Sequence, residues 1–313
     1  MKSSLTYLAL SGILSLGVPD SQRAHAAEAY DDEGNLVSLP APAMRIISLA
    51  PSLTEILYAA GAGKKIVGVV EFSDYPPEAR SLPVVGRYDS LDLETLLALQ
   101  PDLIIAWQSG NPRAAINRLR ELGLTIYVAE PQNLDTVASH LDRIGALAGT
   151  SAVASEASAN FRRQLQGLRT RYSRREPVRT FYQVWNRPLI TAGGQELIND
   201  IISLCGGTNI FRELSRVAPK VSVESVLSRD PQLIVASGMD QERPEWLDSW
   251  REWTELSAVR DGKLFFIPPD LMQRHTPRAL EGAQRGLQVD LHRLDAVVHG
   301  LGDGAHLAPR AIT

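Results

Sequence analysis

The chain has 313 residues, 44% hydrophobic and 22% charged, with 32 basic against 36 acidic side chains. That length suits two domains of roughly 120 to 150 residues each, and the composition is that of a folded globular protein. A net charge of -4 leaves no basic excess with which to grip nucleic acid or an anionic membrane surface, so small molecules and proteins remain as partners.

Residues 1–26 read as a signal peptide: Lys2 supplies the positive start, residues 5–18 the apolar stretch, and Ala24-His25-Ala26 the small-x-small cleavage pattern. The apolar stretch is too short for a membrane span. The sole cysteine, Cys205, lies far from this segment and cannot anchor a lipid there. A soluble protein of the Gram-negative periplasm is expected, with Cys205 as a small buried hydrophobe beside Gly206-Gly207. Residues 27–43 read as a polar N-terminal arm with a turn at Asp31-Asp32-Glu33-Gly34-Asn35.

Residues 44–150 read as a first α/β lobe. It opens with a strand at 45–49 and a helix for which Ser52 serves as N-cap and Glu55 closes a capping box. A strand at 66–70 and loops at 72–77 and 86–89 follow. Residues 151–175 hold no proline and one glycine, with Ala154, Ala157, Phe161, Leu165, Leu168 and Tyr172 at three- and four-residue steps. They predict one long amphipathic bridging helix that resists hinge bending. Residues 176–298 read as a second α/β lobe: a strand at 179–184, a loop with Trp185, a helix at 196–204, a strand at 264–267, a loop at 270–276 and a closing helix from Pro277. Trp246, Trp250 and Trp253 recur at about helical spacing and are expected to pack within this lobe. Residues 299–313 read as a flexible tail.

One pattern occurs twice. Leu93-Glu94-Thr95-Leu96-Leu97-Ala98-Leu99-Gln100-Pro101-Asp102-Leu103-Ile104-Ile105-Ala106 is answered without a gap by Val223-Glu224-Ser225-Val226-Leu227-Ser228-Arg229-Asp230-Pro231-Gln232-Leu233-Ile234-Val235-Ala236. Each copy reads as a short helix, a proline that stops it, and a buried apolar strand of a parallel sheet. A shared unit in each half implies two lobes of similar build with a cleft between them. Glu94 and Glu224 occupy matching first-turn positions, where the helix dipole tolerates a carboxylate.

Ile46-Ile47-Ser48-Leu49-Ala50-Pro51-Ser52-Leu53-Thr54-Glu55, Phe72-Ser73-Asp74-Tyr75-Pro76-Pro77, Pro101-Asp102-Leu103-Ile104-Ile105-Ala106-Trp107 and Leu204-Cys205-Gly206-Gly207-Thr208-Asn209-Ile210-Phe211 occur in that order. Together they resemble the periplasmic cobalamin-binding proteins of vitamin B12 ABC importers, over about residues 44–295. The resemblance implies two Rossmann-like α/β lobes joined by a single long backbone helix, the class III plan of periplasmic binding proteins. It implies a monomer that holds a corrinoid between the lobes. By the family's motif, the ligand contacts would be Phe72, Tyr88 and Trp107 from the first lobe, with Trp185, Asp270, Leu271, Met272, Gln273 and Arg274 from the second. Glu94 and Glu224 would meet arginines of the membrane permease. Binders of haem and of ferric siderophores share the fold and form the alternative.

The family pattern prefers Tyr where this chain has Phe72, Trp where it has Tyr88 and Ala218, and Trp-Phe-Glu where it has Leu271-Met272-Gln273. Binding weaker than the family norm is expected. The chain carries no nucleophile motif, P-loop or zinc-protease motif, so catalysis, a resident cofactor and a metal centre are not expected. His275, in a cleft loop, reads as a hydrogen-bonded loop histidine.

Overall fold

The computed structural model describes residues 26–172, 176–194, 196–238 and 242–285. The expected signal peptide up to residue 25, the end of the bridging helix and the expected tail lie outside the described residues. The expected polar arm is a β-hairpin: β1 (Ala27–Tyr30) pairs antiparallel with β2 (Leu36–Leu39). Ala27, Ala29, Val37 and Leu39 alternate inward and join the first lobe's core, a period of two that the small alanines conceal. Asp31 shapes the turn by accepting the amides of Glu33 and Asn35.

The first lobe runs through β3 (Ile46–Ser48), α1 (Pro51–Ala59), β4 (Ile66–Val69), the small hairpin of β5 (Gly86–Arg87) and β6 (Ser90–Leu91), α2 (Leu93–Ala98), β7 (Leu103–Trp107), α3 (Arg113–Glu121), β8 (Ile126–Ala129) and α4 (Leu134–Ala148). Its sheet has the order β4-β3-β7-β8, with every neighbour parallel. All-parallel strands must be covered on both faces, and apolar clusters fill both. α1 begins differently from the expected capping box. Ala50 is its N-cap with no side-chain bond, and Pro51 takes the first helical turn, where a missing N–H costs nothing. Glu55 is thereby released from capping and buried, at 4% exposure.

The bridging helix α5 (Ser151–Tyr172) is a single element. Its Ala154 lies in the first lobe's core, while Phe161, Leu165 and Leu168 lie in the second lobe's. Leu134, Val137 and Ala138 of α4 also join that second core, so apolar packing runs without a break from one lobe into the other.

The second lobe holds β9 (Val178–Asn186), β10 (Leu189–Thr191), α6 (Leu197–Leu204), β11 (Gly207–Asn209), α7 (Val223–Arg229), β12 (Leu233–Ala236), a 3-10 run at Glu245–Glu252, α8 (Ser257–Arg260), β13 (Leu264–Phe266) and α9 (Pro269–Met272), with residues 279–285 helical. β11 and β12 flank β9 in parallel, and β13 follows β12. The first lobe's topology is repeated, with β10 added as an antiparallel hairpin on the far end of β9. Trp250 of the 3-10 run is buried and donates to Gln183 Oε1 at 2.7 Å, and Trp246 packs against the same cluster. Trp253 is 36% exposed.

The repeat extends to side chains that clamp the backbone. Asp102 accepts the amides of Met44 and Arg45, while Arg45 Nε donates to the carbonyls of Leu99 and Gln100. In the second lobe Gln232 Oε1 accepts the Arg179 amide, and Arg179 donates to the Asp230 carbonyl. Each clamp joins the start of a central strand to the loop that leaves the repeated helix. Gln100 and Asp230, both at positive φ, turn the chain there.

Candidate functional site

A cleft of about 620 Å³ opens between the lobes. Like the ligand sites of open α/β sheets, it forms beyond the carboxyl ends of the parallel strands. The first lobe lines it with Trp107, Gln108 and Ser109 after β7, Arg113 of α3, and Glu130 to Asn133 after β8. The second contributes Gly194, Glu196, Leu197, Asn199, Asp200, Val217 and His275.

Trp107 is the aromatic wall, and its setting is built rather than incidental. A Cβ on Gly110 would stand 1.9 Å from the indole, so the ring lies directly over a glycine backbone that no other residue could supply. Buried Asn111 fixes the loop: its Oδ1 accepts the Trp107 amide at 2.6 Å, and its Nδ2 donates to the carbonyls of Leu49 at 2.9 Å and Tyr88 at 2.8 Å. One side chain thus ties three strand-end loops together. It also brings the Tyr88 ring to 5.7 Å from that of Trp107. Glu130 accepts from the amide and hydroxyl of Ser109, holding the next residues in place.

The second wall is polar. Glu196 and His275 approach to 3.5 Å. Asp200 reaches across the junction and accepts the Leu134 amide at the start of α4, at 3.0 Å. Over both lobes together, Glu130, Glu196 and Asp200 outnumber Arg113 and His275 in charge-bearing capacity, and Gln108, Gln132, Asn133 and Asn199 add hydrogen-bonding amides.

Beside this cleft lies an ion lattice that crosses between the lobes. Glu55 of α1 accepts from Arg274 at 2.9 Å and from Arg278 at 2.8 and 2.6 Å. Arg274 also donates to Asp74 and to the Phe72 carbonyl, and Arg278 lies 3.8 Å over the Tyr75 ring. Asp270 holds Arg274 Nε at 2.9 Å. Burial works against the charge on Arg274, but its bonds to Glu55 and Asp74 outweigh it and raise the guanidinium's pKa.

The expected site residues fall into four groups. Trp107 lines the cleft with Tyr88 against it, and Phe72 stands 69% exposed at positive φ, its carbonyl held by Arg274. Trp185 lies at the end of β9, inside a strand rather than a loop, with its indole donating to the Arg187 carbonyl. The segment after β13 needs correction. Leu271 and Met272 are 4% and 2% exposed within the second core, because Pro269 starts a helical turn that points both inward, so neither can face a ligand. Asp270 and Arg274 are spent in the ion lattice, Gln273 donates to the Gly238 carbonyl, and His275 is the residue of this loop that lines the cleft. Glu94 and Glu224 are exposed on α2 and α7, where Asp92 and Ser222 cap the two helices alike.

Sequence reasoning missed Glu55, Asn111, Glu130, Glu196, Asp200 and Arg278. Asp270, Arg274 and Arg278 mark a charged segment in the sequence, but the carboxylate they meet, like the other residues, depends on loops meeting from distant parts of the chain.

Residues 46–271 match the family described as Periplasmic binding protein. The chain is 41% identical over 252 residues to the Vitamin B12-binding protein of Vibrio cholerae serotype O1, spanning 80% of this chain and 90% of that one. It superposes with a TM-score of 0.73 on the crystal structure of the periplasmic Vitamin B12 binding protein BtuF of Vibrio cholerae, at 41% identity, covering 79% of this chain and 96% of that one. The periplasmic heme-binding protein RhuT from Roseiflexus sp. RS-1 shares the fold, with a TM-score of 0.68 and 21% identity over 78% of this chain and 97% of that one. With two parallel-sheet lobes, one joining helix and a cleft at the strand ends, this chain belongs to the periplasmic binding protein family.

Proposed function

We propose that this protein captures a corrinoid, cobalamin, in the cleft between its lobes and delivers it to the membrane permease of an ABC importer. It acts as a monomer in the Gram-negative periplasm after removal of an N-terminal signal peptide. Cobalamin is cargo in this reading; the protein needs no resident cofactor and performs no catalysis.

The chemistry of the cleft carries the choice of ligand. A corrin rim bears methyl and neutral amide groups, which suit one aromatic wall and many hydrogen-bonding side chains. Glu130, Glu196 and Asp200 can accept from such amides, and Gln108, Gln132, Asn133 and Asn199 can pair in either sense. Haem instead carries two carboxylates at its rim. Three carboxylates in the cleft oppose them by like-charge repulsion, with Arg113 as the fixed cation among the lining residues. The 41% identity to a Vitamin B12-binding protein supports the same choice.

Delivery rests on Glu94 and Glu224. They stand at equivalent points of the repeated unit, one on each lobe, exposed and away from the lining residues of the cleft. Two matched carboxylates suit a permease surface with two matched cationic sites. Calorimetry with cyanocobalamin, cobinamide and haemin tests the ligand assignment: saturable corrinoid binding supports it, and haemin binding with neither corrinoid detected overturns it.

A further inference from the structure

We propose that Glu55 is a positioning residue for ligand capture, an inter-lobe pin that fixes the cleft's width and the stance of the Phe72 loop; the ligand side of this proposal rests on the function proposed above. Glu55 is 4% exposed, and a carboxylate so far from water persists only where partners compensate its charge. Among the described residues every hydrogen-bond partner of its carboxylate comes from the other lobe: Arg274 at 2.9 Å and Arg278 at 2.8 and 2.6 Å. Separating the lobes would exchange these three short charge-assisted bonds for water, so the bonds oppose opening.

The second lobe presents the arginines in a prepared arrangement. Asp270 holds Arg274 at 2.9 Å and lies 3.7 Å from Arg278. The same two guanidinium groups grip the loop that carries Phe72. Arg274 bonds Asp74 at 2.9 Å and the Phe72 carbonyl at 3.3 Å, and Arg278 covers Tyr75. Phe72 is a non-glycine residue at φ 65, a conformation that persists only when its surroundings impose it. The pin therefore also holds the backbone of the loop that carries the exposed Phe72 ring.

The lattice stands between two openings. Glu55 and Arg278 line a cavity of about 950 Å³ on one side, and His275, next to Arg274, lines the 620 Å³ cleft on the other. The lobes are also tied where Asp200 accepts the Leu134 amide. Together with α5, these ties leave the lobes little freedom to rock.

Pulsed electron resonance distances test the pin without any ligand. Spin labels are placed at exposed Asn117 and Glu252, as Asn117→Cys and Glu252→Cys in a Cys205→Ser background. The parent is expected to give one narrow inter-lobe distance distribution. Glu55→Gln, which keeps the shape and removes the charge, should broaden it roughly twofold and speed cyanocobalamin release about tenfold. Arg278→Gln, which leaves the Arg274 bond in place, should broaden it less and serves if Glu55→Gln does not fold. Distributions in both variants that superpose on the parent's would overturn the proposal. A broadened Glu55→Gln distribution in a protein that binds haemin and no corrinoid would leave the pin standing and remove the ligand assignment instead.

Discussion

The two lobes share a frame and differ in chemistry. Each has a central strand, β3 or β9, clamped by an arginine to the loop leaving the repeated helix. Each first helix ends on a residue followed by a glycine at positive φ, Gly61 or Gly206. The first lobe turns toward the cleft an indole seated on Gly110 and fastened by Asn111; the second offers Glu196, Asn199, Asp200 and His275. Repetition thus preserves what holds the backbone, while the residues at the strand ends have diverged: the first lobe sets an indole among polar side chains, and the second lines the cleft with polar groups and no aromatic ring but His275. A ligand with a flat face and a hydrogen-bonding rim needs both.

The largest effect should come from the one functional feature that the lobes share. Glu94→Arg combined with Glu224→Arg should abolish stimulation of the importer's ATPase in reconstituted vesicles while ligand affinity stays within a few-fold, because neither residue lines the cleft. Equal loss of affinity and stimulation would contradict the docking role. Each single reversal should cost a similar share, as the matched helix caps imply.

Unequal walls predict unequal tryptophans. Trp107→Ala should weaken cobalamin binding by about 1 to 3 kcal/mol through lost burial, whereas Trp185→Ala, whose indole bonds its own turn, should change affinity less than about threefold. Calorimetry on the two variants side by side checks this, and a reversed order would place the aromatic wall on the second lobe.

A third effect concerns stability and the first lobe alone, and leaves ligand binding unchanged. The N-terminal hairpin is pinned where Asp32 meets His140 at 2.8 Å, Arg143 at 2.8 Å and the Glu130 amide at 2.5 Å. Burial pushes the Asp32 carboxyl up, but the His140 bond and charge, the Glu130 amide and Arg143 together bring it down from 3.8 to about 2. A carboxyl lowered on folding stabilises above its unfolded value, and the contribution is lost as pH falls through its folded value. Asp32→Asn should therefore lower stability by about 1 to 3 kcal/mol at neutral pH. The difference from the parent should shrink as pH falls below 3.8 and close near about 2. Thermal melts across that range measure it, and a pH-independent difference would refute the assignment.

How much of this was legible follows the range over which each feature is built. The repeated helix-proline-strand unit and the bridging helix are local patterns; the unit is present in both lobes, and the helix is continuous from Ser151 to Tyr172 within the described residues. Trp107 was legible because it directly follows a buried strand. A carboxylate three residues after a serine at a helix start has a sufficient local explanation as a cap, which hides the role of Glu55, whose partners lie more than two hundred positions away. The family's motif has aromatic residues where this chain has Leu271 and Met272, and the turn at Pro269 points both into the core. Asp200 and Glu196 sit at the start of a plain amphipathic helix, and nothing local marks them as facing another lobe.

The cargo proposed for the cleft is a neutral, amide-rimmed macrocycle. Isothermal titration of the processed protein with cyanocobalamin, cobinamide and haemin tests it most directly. Saturable one-to-one binding of cyanocobalamin is predicted, weaker than the family norm because Ala218 stands where the family's motif has a tryptophan, with no heat from haemin at micromolar concentrations. Haemin binding in that range, with neither corrinoid detectable, would contradict the claim and make this protein a haem carrier built on the same frame.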